Sequence, residues 1–389
     1  IKYTSNNKVV EVMSRFGRRK AKMIGICLLA MLSSPFIASI TIRGISYLSV
    51  TANKINIFNK QESETVISEF KQIDSYPFYE DSILSYGFGW EEESEDEVNT
   101  GAKSSASTNV QDVGVKPYPE NLDNVSGDVI QTSFGLYGGN KYFNLENSGQ
   151  VMNNTSHSNY ELFQESKLKP EFKIELNGEP QVLLMHTHTT ESFEPYERNF
   201  YDNSFNYRTT DPTKNVVMVA DEIKKQLEAS GIVTIHDTTI HDYPSYNGSY
   251  QRSAETVKAI LAQYPSIKVV LDIHRDAITS DGNLIQPVTT FNGKKAAQVM
   301  IISGCDDGTM GMPNYMHNFR LACLFQQQME TSYPGLTRPI MFDYRKYNQD
   351  LTTGSLLIEV GSHGNTLEQV RYSGELIGKS ITNALLTLT

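Results

Sequence analysis

Cysteine is scarce in this chain: 3 residues in 389. None stands in CxxC or CxxxC spacing, which excludes a cysteine-built zinc module and a disulfide framework. Cys27 lies in a hydrophobic segment, so Cys305 and Cys323 are the only two that could pair. Positive charge is short as well. Lys and Arg number 34 against 45 Asp and Glu, for a formal net charge of −11. Nucleic acid as main partner is argued against, because phosphate binding needs a basic surface. The same balance speaks against a protein that coats anionic lipid. No internal repeat is present.

Long apolar runs are also rare, with one exception. Met23 to Ile42 is mostly apolar and about the 20 residues that a helix needs to cross a bilayer. Arg15, Arg18, Arg19, Lys20 and Lys22 precede it, and a basic flank stays cytoplasmic. The expectation is a basic cytoplasmic tail over 1–22, a single transmembrane anchor over 23–42, and the rest outside. A cleaved signal peptide is the rival reading, with small residues near Ser33 to Ser39. The length of the run and the lack of a clean A-x-A site favour the anchor.

Residues 43–171 read as an extracytoplasmic stalk. Glu62 to Ile73 has weak helical periodicity. The block Glu91-Glu-Glu-Ser-Glu-Asp-Glu97 opens a polar, Ser/Thr/Asn/Pro-rich stretch, so a disordered linker is expected near 91–128. From 172 to 389 the pattern becomes that of an α/β domain. Apolar strands are predicted at Gln181–Met185, Ile232–Ile235, Ile267–Ile273, Val299–Ile302 and Ser355–Val360. Helices are predicted at Asn215–Ser230, Gln251–Tyr264, Asn314–Thr331 and Thr366–Leu386. This alternation implies a mostly parallel sheet with helices on both faces.

The chemistry gathers where apolar strands end. Gln181-Val-Leu-Leu-Met is followed by His186-Thr-His188-Thr-Thr-Glu191. Ile267-Lys-Val-Val-Leu-Asp-Ile ends in His274. Carboxyl ends of neighbouring strands line the crevice of an open α/β sheet. Two imidazoles and a carboxylate converging there make a His₂Glu zinc site with one position left for water. His186 and His188 are two apart and share a face if the strand continues, so both can point at the crevice, one as a ligand and the other as a supporting group or a substrate contact. Asp211 competes with Glu191 for the third place, its alternative being a loop aspartate beside Pro212. Asp272 falls on the same face as His274, placed to orient that ring. Glu359, near the end of an apolar strand, is either a general base or one half of a buried ion pair with Arg275 or Arg345. Arg275 is a candidate for substrate carboxylate or oxyanion, or for a salt bridge. Tyr344 to Asp350 is a polar loop that contacts substrate or merely faces solvent. His157, His236, His241 and His317 read as structural or surface residues, with His363 held in reserve.

Taken together, Pro180-Gln-Val-Leu-Leu-Met-His-Thr-His-Thr-Thr-Glu-Ser-Phe193, Asp272-Ile-His-Arg-Asp276, and Tyr347-Asn-Gln-Asp-Leu351 followed by Leu356-Leu-Ile-Glu-Val-Gly361 resemble the stage II sporulation protein P family. The resemblance covers about 172–389. It implies a phosphorylase/hydrolase-like zinc amidase fold over those residues. The implied activity is that of an N-acetylmuramoyl-L-alanine amidase, with endopeptidase action as well, on septal peptidoglycan during engulfment. It also implies Zn2+, a single-pass protein of the cell membrane with its catalytic domain in the extracytoplasmic septal/forespore intermembrane space, and stage II sporulation proteins D and M as partners. His188, Glu191 and His274 match the ligand places of the wider amidase class, and Glu359 its catalytic place. Many such amidases carry the middle ligand later, where this chain has Asp211. A zinc carboxypeptidase or endopeptidase acting on peptide stems, and a septal scaffold without catalysis, are the alternatives.

Overall fold

The computed structural model describes residues 115–389. The expected tail, anchor, helix at 62–73 and first part of the linker lie outside the described residues. Among those described, no helix is long and apolar enough to cross a membrane.

The elements, in chain order, begin with β1 (Gly127–Thr132), β2 (Tyr142–Asn144), β3 (Gln150–Asn153), α1 (Asn159–Glu165), β4 (Val182–Met185) and β5 (Phe200–Tyr201). Next come α2 (Val216–Ala229), β6 (Thr234–His236), α3 (Ser249–Gln263), β7 (Val269–Asp276), β8 (Thr279–Ser280), β9 (Asn283–Phe291) and β10 (Lys294–Ala297). The chain closes with β11 (Val299–Gly304), α4 (Tyr315–Ser332), β12 (Ile340–Asp343), β13 (Ser355–Ser362) and α5 (Leu367–Leu386).

Eight strands form the main sheet in the order β2-β3-β12-β11-β13-β7-β4-β6. Five of its seven pairings are parallel; β2 with β3 and β11 with β13 are antiparallel. The sheet is therefore mixed, not uniformly parallel. A second sheet, β10-β9-β1-β5 with β8 on β9, was not foreseen, because Thr279 to Ala297 mixes Thr, Gln, Lys and Asn with few apolar positions.

Helices cover both faces of the main sheet, as expected, but unequally. Alternate residues Val182, Leu184, Val269, Leu271, Ile273, Leu356, Ile358 and Val360 point to one face. They form the principal core with α1, α2, α4 and α5. The other face carries α3 alone, through Val257, Ile260 and Leu261 against Leu183, Met185 and Val270.

Local signals explain where the helices begin and stop. Asn215 caps α2, its side chain accepting from the Val217 amide at 3.0 Å. Thr366 and Gln369 cap α5 reciprocally, side chain to backbone in each direction, which satisfies two otherwise orphaned donors. Gly374 and Gly378 lie one turn apart on α5. A Cβ at either would stand 2.8 Å from Val219 O or from Gln226 Cγ of α2, so their bareness lets the two helices touch.

The boundary expected at 172 falls inside the folded body. β2 and β3 precede it and extend the main sheet through β12. β1 lies parallel to β9, and Gly127 and Asp128 of the expected linker belong to it. Cys305 and Cys323 are both buried and free.

Candidate functional site

β4, β7 and β13 are neighbours and run parallel, so their carboxyl ends open side by side. Met185 pairs with Asp272, and His274 with Glu359. On β7 the alternation puts Asp272, His274 and Asp276 on one face and Ile273 and Arg275 on the other. Past Met185 the chain leaves β4 and turns, and hydrogen bonds hold that turn. Asp242 accepts from the Thr190 amide at 3.1 Å and from its hydroxyl at 2.6 Å, and from Arg208 Nη1 at 2.6 Å. Asp272 accepts from the Thr187 amide at 2.8 Å and hydroxyl at 2.7 Å.

The structure brings His188, Glu191, His274 and Glu359 into one buried cluster. His274 sits between two carboxylates, with Nε2 2.8 Å from Asp272 Oδ1 and Nδ1 3.5 Å from Glu191 Oε2. Burial alone would lower the pKa of His274, but the charge of Asp272 and then Glu191 raises it well above the usual value. Glu191 is ionised despite burial, because Arg275, His274 and Arg208 hold its pKa far down. The Arg208 guanidinium lies 3.6 Å from Glu191 Oε1 and 4.9 Å above the Tyr246 ring. His188 stacks on Tyr246 with ring centroids 4.6 Å apart and meets Tyr250 and His274 edge-on at 5.5 and 5.2 Å. Burial lowers its pKa to about 3, so it is a neutral imidazole, the form that binds metal.

Glu359 is 1% exposed, and its Oε2 has no hydrogen-bond partner. Burial raises its pKa to about 8, helped by the charges of Asp276 and Glu191 and opposed by His274 and Arg338. The alternative of a buried ion pair is not what forms. Arg338 gives Nη1 to Asp276 at 2.8 Å, and Arg345 pairs with Asp343 at 3.6 Å.

Other expected members stand elsewhere. His186 points to the opposite face, with Nδ1 2.8 Å from Ile273 O and Nε2 2.9 Å from His236 Nε2. His236 in turn meets Asp221 of α2 at 2.9 Å. Arg275 is taken up by backbone. Its nitrogens donate to the carbonyls of Ser192, Tyr207 and Asp276 at 3.1, 3.1 and 3.3 Å. It clamps the loops around Glu191 and does not face the crevice. Asp211 forms a local turn with Thr213 at 2.9 and 2.7 Å. His363 packs on Tyr207 at 5.3 Å, and burial lowers its pKa to about 3.

Asp242, Arg208 and the tyrosines of Tyr246-Asn-Gly-Ser-Tyr250 escaped the sequence reading. The signal available was an aromatic-rich turn immediately before α3. The loop after β12 was foreseen only as polar. Tyr347 stacks on Tyr250 at 5.4 Å, and Asn348 donates to Tyr250 O at 2.9 Å. Both residues hold left-handed backbone, φ 46 and 55, a conformation that costs a non-glycine residue of order 1 kcal/mol or more.

The donor set suits zinc in kind, two imidazoles and a carboxylate. Two ligands on a tetrahedral zinc stand roughly 3.3–3.6 Å apart for bonds of about 2.0–2.2 Å, and His274 Nδ1 to Glu191 Oε2 is 3.5 Å. The two carboxylates flanking His274 demand positive charge at that point, as a cation would satisfy. His188 is the outlying donor, its nitrogens 3.2 Å from Tyr246 Oη and 3.5 Å from Ser249 Oγ. Among the described residues no three such side chains already converge on one metal position.

Comparison with known proteins gives one family. The model of "Stage II sporulation protein P (SpoIIP)" matches residues 91–382. Stage II sporulation protein P of Bacillus subtilis (strain 168) is 31% identical over 201 residues, 49% of this chain and 47% of that protein. The match thus spans about half the length of the relative. Among solved structures, the N-acetylmuramoyl-L-alanine amidase AmiC2 of Nostoc punctiforme shares 12% identity over 53% of this chain and 96% of its own, with a TM-score of 0.32. The CwlD amidase from Clostridioides difficile, solved in complex with the GerS lipoprotein, shares 11% over 54% and 98%, also at 0.32. Likeness of that degree leaves the chemistry to be argued from the residues themselves.

Proposed function

The chain belongs to the stage II sporulation protein P family, and on that premise we propose that it is a zinc-dependent peptidoglycan hydrolase of sporulation. Its reaction is hydrolysis of the amide between N-acetylmuramic acid and L-alanine. The observation that carries this reading is Glu359, a buried carboxylate with one oxygen unpartnered, in register with His274.

His188, Glu191 and His274 would hold the metal. When bound, zinc supplies Lewis acidity toward the scissile carbonyl and toward water. Burial favours the protonated Glu359 carboxyl and the charge of a bound zinc would favour the carboxylate; in that ionised form Glu359 takes the proton of the attacking water and returns it to the leaving amine nitrogen, so one water is consumed and an acid and an amine are released. Asp272 fixes the His274 ring through its other nitrogen. Arg275 and Arg208 keep Glu191 ionised, and Asp242 holds the turn that carries His188. Arg275 therefore acts by positioning, its donors being spent on carbonyls. We place the domain outside the cell membrane, tethered by the apolar run at 23–42, with stage II sporulation proteins D and M as partners.

The test uses the full chain on purified sacculi. One zinc per chain, with stem peptides released and release lost on chelation, is the expected result. Glu359→Gln lowers release by about 10²–10⁴ and leaves zinc content unchanged. Wild-type release by that variant would falsify the assignment of the base, and release of terminal residues alone would make the enzyme a carboxypeptidase.

A further inference from the structure

Arg275, the cation that the sequence suggests for substrate, is spent on backbone carbonyls. A second arginine stands on the face that carries Glu359. Arg338 precedes Pro339, which favours extended backbone, and it runs beside β11. Its amide donates to Val299 O at 2.7 Å, and its carbonyl accepts from Gln326 Nε2 at 3.1 Å. Thr337 lies opposite Val299, so Arg338 comes beside Met300. Met300 pairs with Glu359, and Glu359 with His274. Arg338, Met300, Glu359 and His274 thus form one row across the sheet, and residues in a row share a face.

The Arg338 side chain reaches along that face to the end of β7. Nη1 donates to Asp276 Oδ2 at 2.8 Å. The other Asp276 oxygen accepts from the Ala277 amide at 2.8 Å, so both oxygens are engaged and the guanidinium is held from one side. The guanidinium also lies 5.8 Å from the centre of the Phe134 ring. Gln298 fixes that residue, accepting from its amide at 2.7 Å and donating to its carbonyl at 2.8 Å. What is left is the side edge. Nε and Nη2 both lack a hydrogen-bond partner, although Arg338 is only 6% exposed. Unmet donors on a buried charge are costly. Glu359 does not take them up, its own Oε2 being unpartnered as well. The two are nonetheless near neighbours: burial and then Asp276 raise the Glu359 pKa, and the Arg338 charge is among those that oppose the rise.

We propose that the Nε–Nη2 edge of Arg338 anchors a carboxylate of the substrate. The Nε–H and the Nη2–H beside it form the fork that binds both oxygens of a carboxylate in parallel. Asp276 follows His274 by two residues, roughly 7 Å at ~3.3 Å per residue. An extended peptide covers that span in about two residues, so the anchored group belongs to the second residue of a stem whose first nitrogen is the one being released. The edge is enclosed together with Glu359, and the opening that admits the amide exposes both. Which carboxylate is held rests on the hydrolase reading; that it is a carboxylate rests on the fork.

Two probes test this: L-alanyl-D-glutamate blocked as its γ-methylamide, and the same peptide with the α-carboxylate converted to a carboxamide. Neither contains a muramyl amide, so binding does not depend on hydrolysis. Calorimetric titration into the full chain is expected to show the acid bound about tenfold more tightly than the amide, the scale of a charge-assisted hydrogen-bond pair. Arg338→Lys keeps a positive charge for Asp276 but gives up the fork, and is expected to bind the two alike. Equal binding by the wild type, no binding of either probe, or a preference that survives in Arg338→Lys would each overturn the anchor. The wild-type comparison needs no variant to fold. Release of peptides from sacculi decides the hydrolase reading separately: release with equal binding sinks the anchor alone, and a preference without release sinks the hydrolysis alone.

Discussion

At the scale of single residues, the site is governed by how charge is shared around His274. Asp272 and Glu191 flank one ring, so removing either carboxylate alters both the ring's charge and its aim. Asp272→Asn is expected to weaken zinc binding about 10–100-fold with little change in metal stoichiometry at saturation, measured by competition with a chelator. His363 makes a different prediction. Burial depresses its folded pKa to about 3, below the ~6.5 of an unfolded histidine. Between those values the unfolded chain binds the extra proton, so stability falls as pH drops from about 6.5 toward 3, by at most ~1.4 kcal/mol per pH unit for this group. His363→Leu should flatten the slope of unfolding free energy over pH 6.5 to 4 by up to one proton, read from denaturant melts. The residue rules that located His188 and His274 also explain the misplacement of His186. β4 ends at Met185, and the alternation that seats Leu184 against α2 carries His186 to the same covered face. Arg275 follows the same rule, since a neighbour of His274 on a strand faces away from it.

At the scale of elements, β13 departs from regular pairing just after Glu359, where its register on β7 shifts between Glu359 and Ser362. Gly361 sits in that irregularity at φ 66, and a Cβ there would lie 2.6 Å from Asn365 Oδ1 and 2.8 Å from Ala297 Cβ. Gly361→Ala is expected to cost about 1–3 kcal/mol, a fall in Tm of several degrees in a thermal scan, and to lower hydrolysis by displacing the end of β13. Elements with strong periodicity were legible. The runs of β4, β7 and β13 are apolar because both faces are buried, and α2 and α5 show their inner stripes. Strands β1 to β3 and β8 to β10 were not, being short or polar. Pairing with distant partners makes them strands, and a local window holds no trace of that.

At the scale of the whole molecule, the sheets are closed by chain far away in sequence. β3 reaches its partner β12 nearly two hundred residues later, and β1 finds β9 after about one hundred and fifty. A chain beginning at 172, where composition suggests the domain starts, removes β1, β2 and β3. It leaves the edge of β12 bare, and an unpaired edge recruits other chains. Such a truncation is expected to aggregate on concentration in light-scattering measurements, while one beginning at 115 stays monodisperse. The same weaving sets the order of assembly. The first strands find early partners in one another and in β5, but their pairings with β9 and β12 wait for the last third of the chain, and long-range pairing of this kind is slow. Completion therefore waits on the final stretch: Glu359, the residue on which cutting is proposed to depend, lies on β13, the last strand of the chain, so an incomplete molecule lacks its proposed base.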